Sequence, residues 1–163
     1  MSVAVHHLRP NDLILMNGLN DLFGAVFNDL LTYTQNRPSL GYLQRLLADD
    51  SFIGLVALKN GEIVGGLTAY ELKKYEQERS EIYIYDLGVA PGHRRQGIAT
   101  ALITALKQIA ADRGAYVIFV QADTTDADQP AIALYTKLGI REDVLHFDIP
   151  VEDKHEMGCS EKL

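Results

Sequence analysis

The chain contains a single cysteine, Cys159, so no intrachain disulfide can form, and this thiol stands apart from any His/Asn constellation that would make it a nucleophile. A reducing compartment suits such a chain. Positive charge is also scarce. Fifteen Lys and Arg stand against 22 Asp and Glu, a formal net charge of −7. That sign argues against a nucleic-acid backbone or an anionic membrane as partner, and favours a cationic small molecule or a cationic partner. No apolar run approaches the roughly 18 residues of a membrane span. The opening MSVAVHHLRPND lacks the basic-then-apolar order of a signal peptide, so a cytoplasmic location is expected. The five histidines, at positions 6, 7, 93, 146 and 155, show no metal-ligand spacing, and no metal is expected.

What remains is ordinary globular composition: 163 residues, 47% hydrophobic and 23% charged, with no repeat and no low-complexity stretch. One domain is expected over residues 1–150, followed by a polar tail over 151–163. Val3 to Arg9 reads as a first strand, stopped at Pro10. From Leu13 to Leu31 apolar residues recur at three- and four-residue steps, the period of a buried helical face, with Gly18 and Gly24 as possible breaks. Ser39 caps a second helix to about Ala48. Phe52–Lys59 and Glu62–Tyr70 flank Asn60-Gly61, the dipeptide of a two-residue hairpin turn. Lys73–Glu81 reads as a solvated connector, Ile82–Val89 as a strand, and Gly97–Arg113 as an amphipathic helix stopped at Gly114. A strand over Tyr116–Ala122, a helix over Pro130–Leu138 and one or two strands within Ile140–Ile149 complete the order. The pattern implies an α/β fold, a mixed and mostly antiparallel sheet flanked by about four helices. Strands 82–89 and 116–122 should lie parallel through a right-handed crossover.

The stretch with the most chemistry runs from Asp86 to Thr100, where a strand passes through a basic loop into a helix. Such a junction binds anions, because a glycine admits close approach, uncapped N–H groups face outward and the helix dipole adds about half a positive charge. Arg94 and Arg95 supplement it, so the loop suits a phosphate or pyrophosphate. Neither the Walker motif nor the dinucleotide fingerprint is present.

Arg94-Arg95-Gln96-Gly97-Ile98-Ala99 resembles the pyrophosphate loop of the GNAT superfamily of acetyl-coenzyme A-dependent N-acetyltransferases, Arg/Gln-x-x-Gly-x-Gly/Ala. Asp128-Gln-Pro-Ala-Ile-Ala-Leu-Tyr135-Thr-Lys-Leu-Gly139-Ile resembles the same family's Asn-x-x-Ala-x-x-Leu-Tyr-x-x-x-Gly-Phe helix, with Asp for Asn and Ile for Phe. Further stretches, Ser80–Leu87, His93–Leu102, Gly114–Ile118, Val120–Asp123, Ala133–Glu142 and His146–Ile149, look like the GNAT-type aminoglycoside 3-N-acetyltransferases of the gentamicin-modifying branch. The resemblance implies the GNAT fold, acetyl-CoA as co-substrate and a polycationic aminoglycoside acetylated at the 3-amino group of its deoxystreptamine ring. It also implies a homodimer.

The same resemblance assigns the coenzyme to Leu87, Gly88 and Val89, whose backbone would hold the pantetheine arm, and to Arg94, Arg95, Gln96, Gly97, Ile98, Ala99, Thr100 and Asp128. His93 is expected to cap or line this loop. Acetyl transfer needs a base for the substrate ammonium, an oxyanion donor and an acid for the leaving thiolate. Asp86 is the first candidate base and Glu81, acting through water, the second. Strict alternation puts Asp86 on the face opposite Tyr83 and Tyr85, although the family commonly bulges this strand and so reverses the parity. Tyr135 is the candidate acid by match to the family's helix, and a backbone N–H near Leu87–Val89 the oxyanion donor. Tyr83, Tyr85, Asp123, Glu142, Asp143 and Asp148 are candidate substrate contacts, with Asp126 as further acidic lining. Alternative readings are acetylation of another small amine or a protein N-terminus, and an acyl-CoA sensor without turnover.

Overall fold

A computed structural model describes residues 2–151, and Cys159, His155 and the tail from 152 onward lie outside the described residues. The chain forms two compact units, Met1–Gln121 and Ala122–Leu163. The first holds a five-stranded sheet in sequence order: β1 (Ala4–His7), β2 (Phe52–Lys59), β3 (Glu62–Lys73), β4 (Ser80–Val89) and β5 (Ala115–Val120). β1 to β4 pair antiparallel, and β4 and β5 pair parallel. The mixed, mostly antiparallel sheet expected from the sequence is therefore present.

Local chemistry accounts for most of these elements. The β2–β3 hairpin turns at Asn60 and Gly61, with φ of 54° and 82°, the left-handed values such a turn requires. The Ser39 side chain accepts the Tyr42 N–H and starts α2 (Leu40–Ala48). α3 (Ile98–Arg113) is bounded by Gly97 and Gly114 at φ 78° and 73°, and buries Ile98, Leu102, Ile103, Leu106 and Ala110. Leu19, Phe23 and Leu43 from the other helices pack with Phe52 and Val56 in the main apolar cluster.

Three expectations need correction. The first helix, α1, spans Leu13–Val26 rather than reaching Leu31. Asn28 takes a left-handed φ of 53°, which ends it, and a π-helical turn follows at Leu31–Gln35. Gly18 and Gly24 do not break α1. A Cβ at Gly24 would lie 3.0 Å from Thr34 Cγ2, so this glycine lets the π-turn pack closely on the helix. Second, β3 and β4 extend into the expected connector, leaving only residues 74–79 between them. Third, no strand forms over 140–149. A strand exists through its ladder, and here Val144, Leu145, Phe147 and Ile149 are exposed on backbone that, among the described residues, pairs with no other strand. The second unit contributes α4 (Gln129–Leu138) as its one α-helix among the described residues.

Candidate active site

The decisive local feature is a bulge in β4. Thr68 pairs with Asp86 and Ala69 with Ile84, so Tyr85 is an extra residue opposite no partner. A bulge turns two successive side chains toward one face. Tyr85 and Asp86 accordingly line one open cavity of about 170 Å³, together with residues of β2, β3, α1, α2 and the π-turn. This reverses the parity that simple alternation gives.

Asp86 is the one charged side chain among the residues that line this cavity; its neighbours include Thr68, Tyr70, Tyr85, Asn20 and Tyr33. The Tyr33 hydroxyl donates to the carboxylate and lies 3.0 Å from each of its oxygens. Burial raises the Asp86 pKa above the ordinary carboxylate value, while the Tyr33 hydrogen bond pulls the other way. Burial, then the Asp86 charge, push the Tyr33 phenol well above its ordinary value, so it stays a donor. A desolvated carboxylate in an apolar and aromatic wall attracts an ammonium and can accept its proton. Tyr33 was not singled out from sequence. It lies on a π-turn without helical period, and only its closeness to Phe23 and Phe27, at 5.8 and 5.7 Å between ring centroids, ties it to the core.

Immediately after Asp86 the sheet opens. β5 pairs with β4 only from Ser80 to Ile84, so Leu87, Gly88 and Val89 have β3 on one side and, among the described residues, no strand on the other. Their free backbone groups are available to a chain-like ligand. The basic loop follows. Arg94 and Arg95 are exposed, Arg94 Nε donates to Val89 O at 3.3 Å, and Lys59 from the hairpin reaches Gln96 Oε1 at 3.2 Å. α3 then begins without a side-chain cap. Its first amides therefore keep their donors, the arrangement that receives phosphate oxygens. A Cβ at Gly97 would meet nothing within 4 Å; the glycine answers to its φ of 78° and leaves open space before the helix. Ile98 is buried and anchors the turn, while Ala99 and Thr100 lie in the helix's first turn. His93 Nδ1 is buried without a partner at the same loop. The residues present fit a pyrophosphate and a pantetheine arm.

The other predicted residues are placed as follows. Glu81 does not line the cavity. It ion-pairs with Lys74 at 3.0 Å and accepts from Tyr116, contacts that hold its carboxyl below the ordinary value. Tyr83 stacks on Phe119 at 4.9 Å and donates to Gln121, beside Tyr85 but outside the cavity lining. Within the second unit, Asp128 precedes α4 and its Oδ2 accepts the Asp123 N–H at 2.8 Å. Tyr135 lies in α4, where burial and then the Asp128 charge push its phenol up to about 12. Asp126 lies in a short 3₁₀ turn, Glu142 and Asp143 are exposed, and Asp148 accepts from His146 at 2.9 Å. Among the described residues no group of three His, Cys, Asp or Glu side chains is placed to hold a metal ion, and no helix is long and apolar enough to cross a membrane.

A strand bulged beside an open edge, followed by a basic turn into an uncapped helix, suits transfer from a pantetheine thioester to an amine. The profile of the acetyltransferase (GNAT) family matches residues 16–140. The chain belongs to the GNAT acetyltransferase family. Its members use acetyl-CoA.

Among solved structures this chain is similar to the aminoglycoside acetyltransferase HMB0005 from an uncultured soil metagenomic sample. Identity is 68%, the TM-score 0.92, and the match covers 93% of this chain and 100% of that one. It is also similar to the aminoglycoside acetyltransferase meta-AAC0020, likewise from an uncultured soil metagenomic sample and solved with sisomicin. There the identity is 37% and the TM-score 0.83, over 92% of this chain and 97% of that one. Among curated proteins it is 34% identical over 87 residues to N-acetyltransferase family 8 member 2 of Rattus norvegicus. The match covers 53% of this chain and 38% of that protein, so the chain spans well under half the length of that relative.

Proposed function

We propose that this GNAT acetyltransferase transfers acetyl from acetyl-CoA to the 3-amino group of the deoxystreptamine ring of gentamicin-type aminoglycosides, and so confers resistance to them. The observation that carries the reading is the bulge-turned Asp86, the lone charged lining residue of a cavity next to the open edge of β4. An acidic protein of net charge −7 gathers a polycation, and the similarity to two aminoglycoside acetyltransferases supports that substrate class. The choice of the 3-amino group and of gentamicin rests on the sequence resemblance.

In this reading residues 1–150 act as one cytoplasmic acetyltransferase domain, paired with a second copy as a homodimer. Asp86 takes a proton from the substrate ammonium, and Tyr33 keeps the carboxylate oriented. The amine then attacks the thioester carbonyl. An N–H of the Leu87–Val89 segment stabilises the oxyanion, and Leu87–Val89 with Arg94–Thr100 hold the coenzyme. Tyr135, by its family motif, protonates the departing thiolate; a phenol with a pKa of about 12 is fully protonated near neutrality. Tyr83, Tyr85, Asp123, Glu142, Asp143 and Asp148 form the substrate's surroundings, and Glu81 is the second carboxylate to test. The test is incubation of gentamicin with protein and acetyl-CoA, followed by mass spectrometry. A product heavier by one acetyl group is expected. Turnover of other amines alone, or coenzyme binding without turnover, would overturn the reading.

A further inference from the structure

The cavity that holds Asp86 has a volume of about 170 Å³. Pockets that enclose a drug-sized ligand run to roughly 300–1,000 Å³. A deoxystreptamine ring carrying aminosugars therefore fits there only in part, and the rest of the molecule lies outside. The aromatic wall sets what it lies on. Tyr70 and Tyr85 both line the cavity, with ring centroids 5.8 Å apart and planes at 86°. Tyr85 is 60% exposed and carries the contact outward to Tyr83, at 6.0 Å and 76°. Tyr83 stacks on its cross-strand partner Phe119, at 4.9 Å with planes 8° apart. An unbroken row of four rings thus runs from the cavity across β3, β4 and β5.

The two faces of β4 differ. Ile82 and Ile84 are buried in the core, whereas Tyr83 and its partner Phe119 remain partly exposed. The Tyr83 hydroxyl donates to Gln121 at 2.9 Å, which fixes that ring, and Phe119 has no second aromatic neighbour among the described residues. A contiguous exposed apolar surface beside a cavity marks a binding face. The face of an aromatic ring is negative and attracts an ammonium within about 6 Å of its centroid. Charge selects the occupant. A second copy of the chain would bring a further net charge of −7 against this one, whereas an aminosugar brings ammonium groups on a ring with apolar C–H faces.

We propose that Tyr85, Tyr83 and Phe119 form a subsite for an aminosugar ring attached to the acetylated deoxystreptamine, with Phe119 as its specificity-determining outer residue. The sugar lies along Tyr85 and Tyr83 and places an ammonium over the free face of Phe119. These contacts are the same before and during acetyl transfer, so they bear on KM and not on kcat. The inference rests on the aminoglycoside reading above and adds which part of the antibiotic is recognised outside the cavity.

Steady-state kinetics should compare gentamicin with 2-deoxystreptamine, the ring that bears the acetylated nitrogen without its sugars. Phe119→Leu should raise KM for gentamicin by roughly five- to thirtyfold, the range of a partly to fully desolvated cation–π contact, with kcat held. KM for 2-deoxystreptamine should stay as it is, and Phe119→Tyr should restore gentamicin. An equal rise for both compounds, or a loss confined to kcat, would overturn the proposal. So would an unchanged KM for gentamicin, and a changed sedimentation coefficient alongside it would assign the row to a contact between copies. A second measurement needs no turnover. In ¹³C-phenylalanine-labelled wild-type protein, the Phe119 ring signals, assigned by their absence from Phe119→Leu, should shift with gentamicin and not with 2-deoxystreptamine. Gentamicin that shifts them without being acetylated would sink the activity and uphold the subsite. Acetylation of gentamicin with unmoved Phe119 signals would do the reverse. Should Phe119→Leu not fold, Phe119→Met supplies the kinetics and the assignment under the same criteria.

Discussion

The Tyr33 hydroxyl lies 3.0 Å from both carboxylate oxygens of Asp86, a residue 53 positions further along the chain. One proton shared between two oxygens fixes the carboxylate's plane without neutralising it. Burial raises Asp86, the Tyr33 hydrogen bond works against that rise, and the hydroxyl holds the carboxyl aimed into the cavity.

Asp86→Asn should lower turnover of the aminoglycoside by about 10²–10⁴-fold and abolish the acid limb of the rate profile, which steady-state kinetics over pH would show. The same substitution should stabilise the fold near neutrality. A carboxyl raised above its ordinary value of 3.8 contributes stability that is fully present below that value and is lost as the pH rises through its folded pKa. Thermal unfolding should therefore find Asp86→Asn above the wild type at pH 7, with the difference vanishing in strong acid. Each 1 kcal/mol appears as about 2–4 °C in a chain of this size.

Tyr33→Phe keeps the ring packed on Phe23 and Phe27 and removes only the donor. Asp86 then loses the interaction that favours its charge, and its pKa should rise further. The acid limb of kcat/KM should move to higher pH, so the loss of activity is greater on the acid side than the alkaline side. The fold should lose about 1–3 kcal/mol, as a buried charged acceptor forfeits its partner, measurable by denaturant unfolding at pH 7.

These contacts mark where the sequence stops being readable. Asn60-Gly61, the Ser39 cap and the Gly97–Gly114 limits of α3 follow from rules that act over four or five residues, and each stands as expected. The parallel pairing of β4 and β5 follows from the helix between them. The side to which Asp86 turns depends on one extra residue in β4, and no alternation pattern contains that information. Tyr33 was hidden because Leu31–Gln35 winds as a π-turn, outside both the 3.6 and the 2.0 period. Ile140–Ile149 shows the converse, apolar residues at plausible strand positions on a backbone that finds no ladder among the described residues.

For the coenzyme loop, Gly97→Asp should abolish binding of coenzyme A in calorimetry, since it places a negative charge at the uncapped start of α3. Gly97→Ala serves as the control. It carries the same strain at φ 78°, on the order of 1–2 kcal/mol, but no charge, and should retain most of the affinity.

Tyr135→Phe should reduce turnover by about 10²–10⁴-fold and leave coenzyme A affinity unchanged, because the ring remains and only the proton donor is lost. Presteady-state measurement of thiol release would detect the loss directly. Wild-type release in the variant would return Tyr135 to a packing role.

The most direct measurement of the central claim is the position of the new amide in the product. Purified acetylated gentamicin should show, in long-range carbon–proton NMR correlations, the acetyl carbonyl coupled through nitrogen to C3 of the deoxystreptamine ring. An acetyl group on any other amine of the antibiotic, or gentamicin recovered unmodified, would contradict it.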